Sequence, residues 1–146
     1  MGEKADANVR SGVAPFLEQG ETVETTLFAQ PRGHSQAMAG GVAGMVGGKR
    51  AGNARRDAEA AGISLAGTMA LVLTPTRLLM VETGNGGKVK GLLGAFSLAD
   101  VGSMEVRRLG LGGSVALTVL GAQVLLEARV GAAREFADHL EQTKAA

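Results

Sequence analysis

Thr68-Met69-Ala70-Leu71-Val72-Leu73-Thr74-Pro75-Thr76-Arg77-Leu78-Leu79-Met80-Val81-Glu82 holds two apolar runs separated by a short break. Thr68–Thr74 and Arg77–Glu82 each have the length and β-branched or aliphatic content of a strand. Pro75-Thr76 presets a turn between them, so the stretch predicts a hairpin. Strand patterning continues on both sides. Upstream, Glu21–Gln30 places Val23, Thr25, Leu27 and Ala29 on one face, and Pro31 and Gly33 break the run. Downstream, Gly84-Asn85-Gly86-Gly87 marks a flexible turn, and Phe96–Val101 and Ser103–Leu109 read as two more strands. Leu111-Gly112-Gly113 separates these from Ser114–Leu120 and Gln123–Val130, joined through the two-residue connection Gly121-Ala122. Seven short strands without strand–helix–strand alternation predict a mainly β antiparallel barrel or sandwich, not a parallel α/β sheet.

Helical spacing appears at both ends. Asp6–Glu18 groups Val9, Val13, Phe16 and Leu17 on one side, although Gly12 and Pro15 weaken it, and Gly20 closes it. Gly131–Gln142 carries an apolar stripe of Ala133, Phe136, Ala137 and Leu140, suited to closing an open end of the β-structure. Residues 1–20 therefore read as a helical extension and residues 131–142 as a capping helix of one 146-residue domain.

Between the first two strands lies an insert, residues 31–62, with an unusual segment inside it. At about 100° per residue, Ala37, Gly40, Gly41, Gly44, Gly47, Gly48 and Ala51 share a side, with Met38, Val42, Met45 and Val46 opposite. Gly40, Gly44, Gly48 and Gly52 repeat every fourth residue, the small-x-x-x-small spacing that lets backbones approach closely. Glycine is about 1 kcal/mol worse than alanine in a helix, so the six glycines of Gly40–Gly52 disfavour an isolated helix by roughly 6 kcal/mol. Either a surface packs against the segment as a helix, or it is a mobile loop. The polar stretch Asn53–Ala61 reads as a second, short helical piece capped by Asn53.

Composition narrows the function. The chain has no cysteine, which excludes disulfides, thiolate metal sites and cysteine nucleophiles. It has four Phe and no Tyr or Trp, and a formal net charge of +1, a poor endowment for stacking or attracting nucleic acid. The charged N-terminus does not read as a signal peptide. The longest apolar stretch, Ala37–Gly48, reaches only about 18 Å as a helix against a hydrocarbon core of ~30 Å. The expected setting is cytoplasmic, with membrane association open. His34 and His139 have no ligand partners at metal spacing, so no metal or other cofactor is expected. Gly48-Lys49 lacks both the leading glycine and the Ser/Thr of a phosphate loop, and no Gly-x-Ser-x-Gly elbow occurs, so no catalytic residue is nominated.

The order of elements resembles the bacterial pleckstrin-homology-like (PH-like) domain family. The likeness rests on the hairpin Leu71-Val72-Leu73-Thr74-Pro75-Thr76-Arg77-Leu78-Leu79, on Phe96–Val101, on Phe16–Glu21 and on the closing helix. It covers Glu21–Gln30 and Thr68–Gln142, and the insert departs from it. The resemblance implies a seven-stranded antiparallel barrel closed by a C-terminal helix, and a non-catalytic binding or scaffold module. Two surfaces follow as expectations. Gly40, Gly44, Gly48, Met38, Val42 and Met45 would form a contact surface for a second copy or a protein partner. Lys49, Arg50, Arg55 and Arg56, in the connection that often holds basic lipid contacts in eukaryotic relatives, would face an anionic membrane surface as the alternative partner.

Overall fold

A computed structural model describes residues 2–34, 40–110 and 112–146. The hairpin forms β2 (Met69–Leu73) and β3 (Arg77–Thr83), paired from Met69↔Glu82 to Leu73↔Leu78. Every residue of β2 is buried, because both faces of this strand are covered. That explains an unbroken apolar run where a half-exposed strand would alternate. Inward, Leu71 and Leu73 join Leu27, Leu78, Met80, Leu117, Leu126 and Phe136 in the main core. Outward, Ala70 and Val72 lie with Leu79 and Val81 beneath Val9 and Val13 of α1 (Glu3–Gly12).

The remaining strands are β1 (Thr25–Pro31), β4 (Val89–Ser97), β5 (Val101–Leu109), β6 (Gly112–Val119) and β7 (Ala122–Ala128). All pairings are antiparallel, in the order β4-β3-β2-β1-β7-β6-β5. β1 crosses between two halves, pairing with β2 over Thr25–Ala29 and with β7 at Gln30 and Pro31. The C-terminal helix (Val130–Ala145) buries Val130, Ala133, Phe136 and Leu140 against β1, β5 and β6. This is the mainly β, seven-stranded antiparallel architecture with a closing C-terminal helix expected from the element order.

Several boundaries differ from expectation, and β1 includes Pro31, which was expected to break it. The fourth strand is Val89–Ser97, not Phe96–Val101, and Leu98–Asp100 is a single 3-10 turn. Gly91 and Gly94 interrupt its apolar pattern, and two register irregularities against β3 disturb its alternation. The N-terminal helix ends at Gly12, short of Glu18, and Pro15 is the second residue of a separate 3-10 turn, Ala14–Phe16. Glu21 and Val23 precede β1 instead of belonging to it.

The β6–β7 connection is Leu120-Gly121, one residue before the expected pair. Both residues have positive φ, 52° and 79°, as the hairpin turn with two left-handed residues requires. Gly121 adopts this freely; Leu120, half exposed, is strained. Leu120→Asn creates the favoured Asn-Gly pair and is expected to raise stability by roughly 1 kcal/mol in thermal unfolding.

Candidate functional site

The described part of the insert is dominated by one helix, α2 (Gly41–Ala60), continuous through the point where two pieces were expected. Asn53 is therefore mid-helix, not a cap, and its Oδ1 accepts a hydrogen bond from Arg56 at 2.6 Å. The helix packs on β1 and β7. Its seated residues are Gly47, Ala51, Ala54 and Ala58, all buried and spaced four, three and four apart. No side chain larger than a methyl separates helix from barrel along this line. Gly33, at the end of β1 with φ of 91°, meets it: a Cβ there would lie 2.6 Å from Arg50 Cβ and 2.7 Å from the Gly47 carbonyl oxygen. The surface that compensates glycine's poor helix propensity is, at this end, the protein's own barrel.

The opposite face carries apolar side chains into solvent. Val42 is 78 % exposed, Met45 77 % and Val46 43 %. On a helix surface the neighbours of Met45 are Gly41, Val42, Gly48 and Lys49, and all four are exposed. Apolar projections and side-chain-free hollows therefore alternate along one strip. Of the residues nominated from sequence, Val42, Met45 and Gly48 share this strip, Gly44 is half-buried on its flank, and Gly40 is exposed just before the helix. Met38 lies outside the described residues.

The four basic residues do not converge. Lys49 and Arg56 project outward, and Arg50 turns toward a cavity at the β1–β7 corner. Arg55 turns the other way, half-buried near His34 and Gly67, with its Nε buried and without an acceptor among the described residues. A consecutive basic run on a helix is spread around the axis, which hides the distribution in the linear sequence. Among the described residues no group of three or more His, Cys, Asp or Glu could hold a metal. No helix among them is long and apolar enough to cross a membrane.

Sequence reading missed the corner cavity, of about 730 Å³. It lies where β1 passes from one sheet half to the other, and residues from both faces of β1, Phe28 and Ala29, line it. Arg32, Arg50, Arg129 and Glu127 line it together with Phe28 and Met69. Gly33 N–H donates to Glu127 Oε2 at 3.2 Å, and Arg32 donates to the Val115 carbonyl at 3.3 Å. Burial pulls the Arg32 pKa below its ordinary value, partly offset by Glu127.

No protein-family model matches the chain, and no characterised protein matches it in sequence. Among solved structures, the crystal structure of the complex of PDZ-RhoGEF DH/PH domains with GTP-γ-S-activated RhoA is similar over 53 % of this chain. Identity is 12 %, the TM-score is 0.33, and the matched region spans 24 % of that chain. A likeness at that level carries no argument.

Proposed function

We propose that the protein is a non-catalytic binding module that self-associates through the outward strip of α2. The observation that supports this is the exposure of Val42 and Met45 on a helix whose other face is already seated on the barrel. Isolated exposed apolar residues are ordinary; contiguous ones on an ordered helix mark contact surfaces. The strip is self-complementary. In a twofold helix pair, Met45 of one copy fits the hollow beside Gly41 and Gly48 of the other, and vice versa. Glycine at these positions lets the two backbones approach, which alanine-sized seats alone would not require. A net charge of +1 gives two copies little mutual repulsion. Met and Val, without Trp, Phe or Leu, suit a protein contact better than insertion at a membrane interface.

Sedimentation velocity of the parent, Val42→Glu and Met45→Glu over a range of concentrations tests this reading. The parent is expected to shift from monomer to dimer as concentration rises. Each glutamate variant is expected to weaken association at least about tenfold, because it buries an unpaired charge at the contact. A parent that stays monomeric, or variants that associate like the parent, would refute self-association.

A further inference from the structure

β5 is the last strand on its side of the sheet, and among the described residues it pairs with β6 alone. On such an edge every second residue has its N–H and C=O directed away from the ladder. The hydrogen bond from Leu120 N–H to the Asp100 carbonyl, flanking the partners Val101 and Val119, sets the alternation. Ser114 and Ala116 are then bonded toward β5, to their partners Arg107 and Glu105. Met104, Val106 and Arg108 direct their backbone groups outward. The start of the edge is protected by a register irregularity between Val101 and Met104, and Lys144 Nζ donates to the Gly102 carbonyl at 3.0 Å. Between Met104 and Arg108 neither device recurs, and the sequence has no proline or lysine there.

The two faces of this stretch differ in chemistry. Met104 is buried and Val106 half-buried against the main core. Glu105 and Arg107 alternate with them on the outer face, and both are exposed. Their lateral neighbours on β6, Ala116 and Ser114, carry no charge. Among the described residues neither Glu105 nor Arg107 joins an ion pair. Arg32 lines the same hollow of about 210 Å³, so two guanidiniums there share one carboxylate.

We infer that the edge of β5 pairs antiparallel with the same edge of a second copy, about a twofold axis at Val106. That register sets Val106 opposite Val106 and Met104 opposite Arg108, the residues whose backbone groups point outward. About six hydrogen bonds then join the two copies. Glu105 stands opposite Arg107 of the second copy, and the reverse, in the closely spaced pairs where side chains meet. Sliding the strands by one alternation either way sets Glu105 against Glu105 or Arg107 against Arg107. Charge therefore selects the central register, and the contact closes on itself as an isologous pair. It does not involve α2, which packs on β1 and β7, so either surface can fail without the other. Together they link copies beyond a dimer.

Sedimentation velocity in a Met45→Glu background, where a charge blocks the α2 strip, tests the inference. This protein is expected to form dimers as its concentration rises to millimolar. Arg107→Glu and Glu105→Arg, both at exposed positions, are each expected to weaken dimerisation by about tenfold or more, because like charges then oppose each other twice. Combining the two substitutions exchanges the charges and is expected to restore affinity to within about threefold. Amide exchange at Val106 and Arg108 is expected to slow as concentration rises, while Glu105 and Arg107, already bonded to β6, exchange as before. A monomer at every concentration overturns the inference, as do single variants that associate like their parent or a double variant no tighter than the singles. Dimers in which Val106 exchange is unchanged would place the contact elsewhere and overturn it equally.

Discussion

Arg77→Met is expected to destabilise the protein by roughly 3 kcal/mol at neutral pH, within the range for breaking a largely buried ion pair. Arg77 joins the β2–β3 turn to the segment between the N-terminal helix and β1. Its Nε and Nη2 donate to the two Glu21 carboxylate oxygens at 2.9 and 2.6 Å, and Nη2 also donates to the Phe16 carbonyl at 2.9 Å. Glu18 lies 3.2 Å from Nε at the surface. The Glu21 side chain is only 5 % exposed and Arg77 19 %, so removing the cation strands a buried carboxylate. The Thr74 hydroxyl donates to the same carboxylate at 2.7 Å while accepting from Arg77 N–H, which fixes the turn.

The same pair fixes a pH dependence. Hydrogen bonds from Arg77, set against desolvation, lower the Glu21 pKa from 4.5 to about 2. A carboxylate whose folded pKa lies below its unfolded value contributes stability that is complete above the unfolded pKa. That contribution fades as pH falls from about 4.5 toward about 2. The shift bounds it at roughly 3 kcal/mol. Urea unfolding of parent and Arg77→Met at pH 7 and pH 3 should show a difference that shrinks at the lower pH. An equal difference at both values would mean that Arg77 acts through packing alone.

Gly33→Val is expected to detach α2 from the barrel. The new Cβ would overlap Arg50 Cβ and the Gly47 carbonyl oxygen, both under 3 Å, and φ of 91° is hostile to a β-branched residue. Left-handed strain and overpacking together cost about 2–4 kcal/mol, enough to open a helix seated mainly on Ala51, Ala54 and Ala58. Amide exchange along residues 44–58 should speed up by a factor of about 30 or more, while β2 and β3 exchange as in the parent. Unchanged protection of the helix would show that its seat does not depend on close approach at Gly33.

These two sites differ in how far the sequence discloses them. The β2–β3 hairpin and the Ala133–Leu140 stripe are local patterns, and both appear where periodicity places them. β4 escaped because glycines at 91 and 94 dilute its strand character, and its pairing with β3 supplies what its composition lacks. Continuity of α2 through Asn53 likewise comes from tertiary packing, since Ala54 and Ala58 beyond it are buried along with Gly47 and Ala51 before it. Val42 and Met45 were legible as a face but not as the outward one, because that depends on which side Gly33 occupies. The cavity could not be read at all. Arg32, Arg50 and Arg129 come from three separate segments and meet only where β1 crosses between the sheet halves.

The absence of native cysteine allows a direct test of the paired-helix account. A Met45→Cys protein carries one thiol, at the centre of the proposed contact, and a Glu135→Cys protein carries one on the exposed side of the C-terminal helix. Under mild oxidation at a concentration where the parent is dimeric, Met45→Cys is expected to give mostly disulfide-linked dimer and Glu135→Cys mostly monomer. Equal yields from the two, or monomer from both, would contradict a copy-to-copy contact on the outer face of α2.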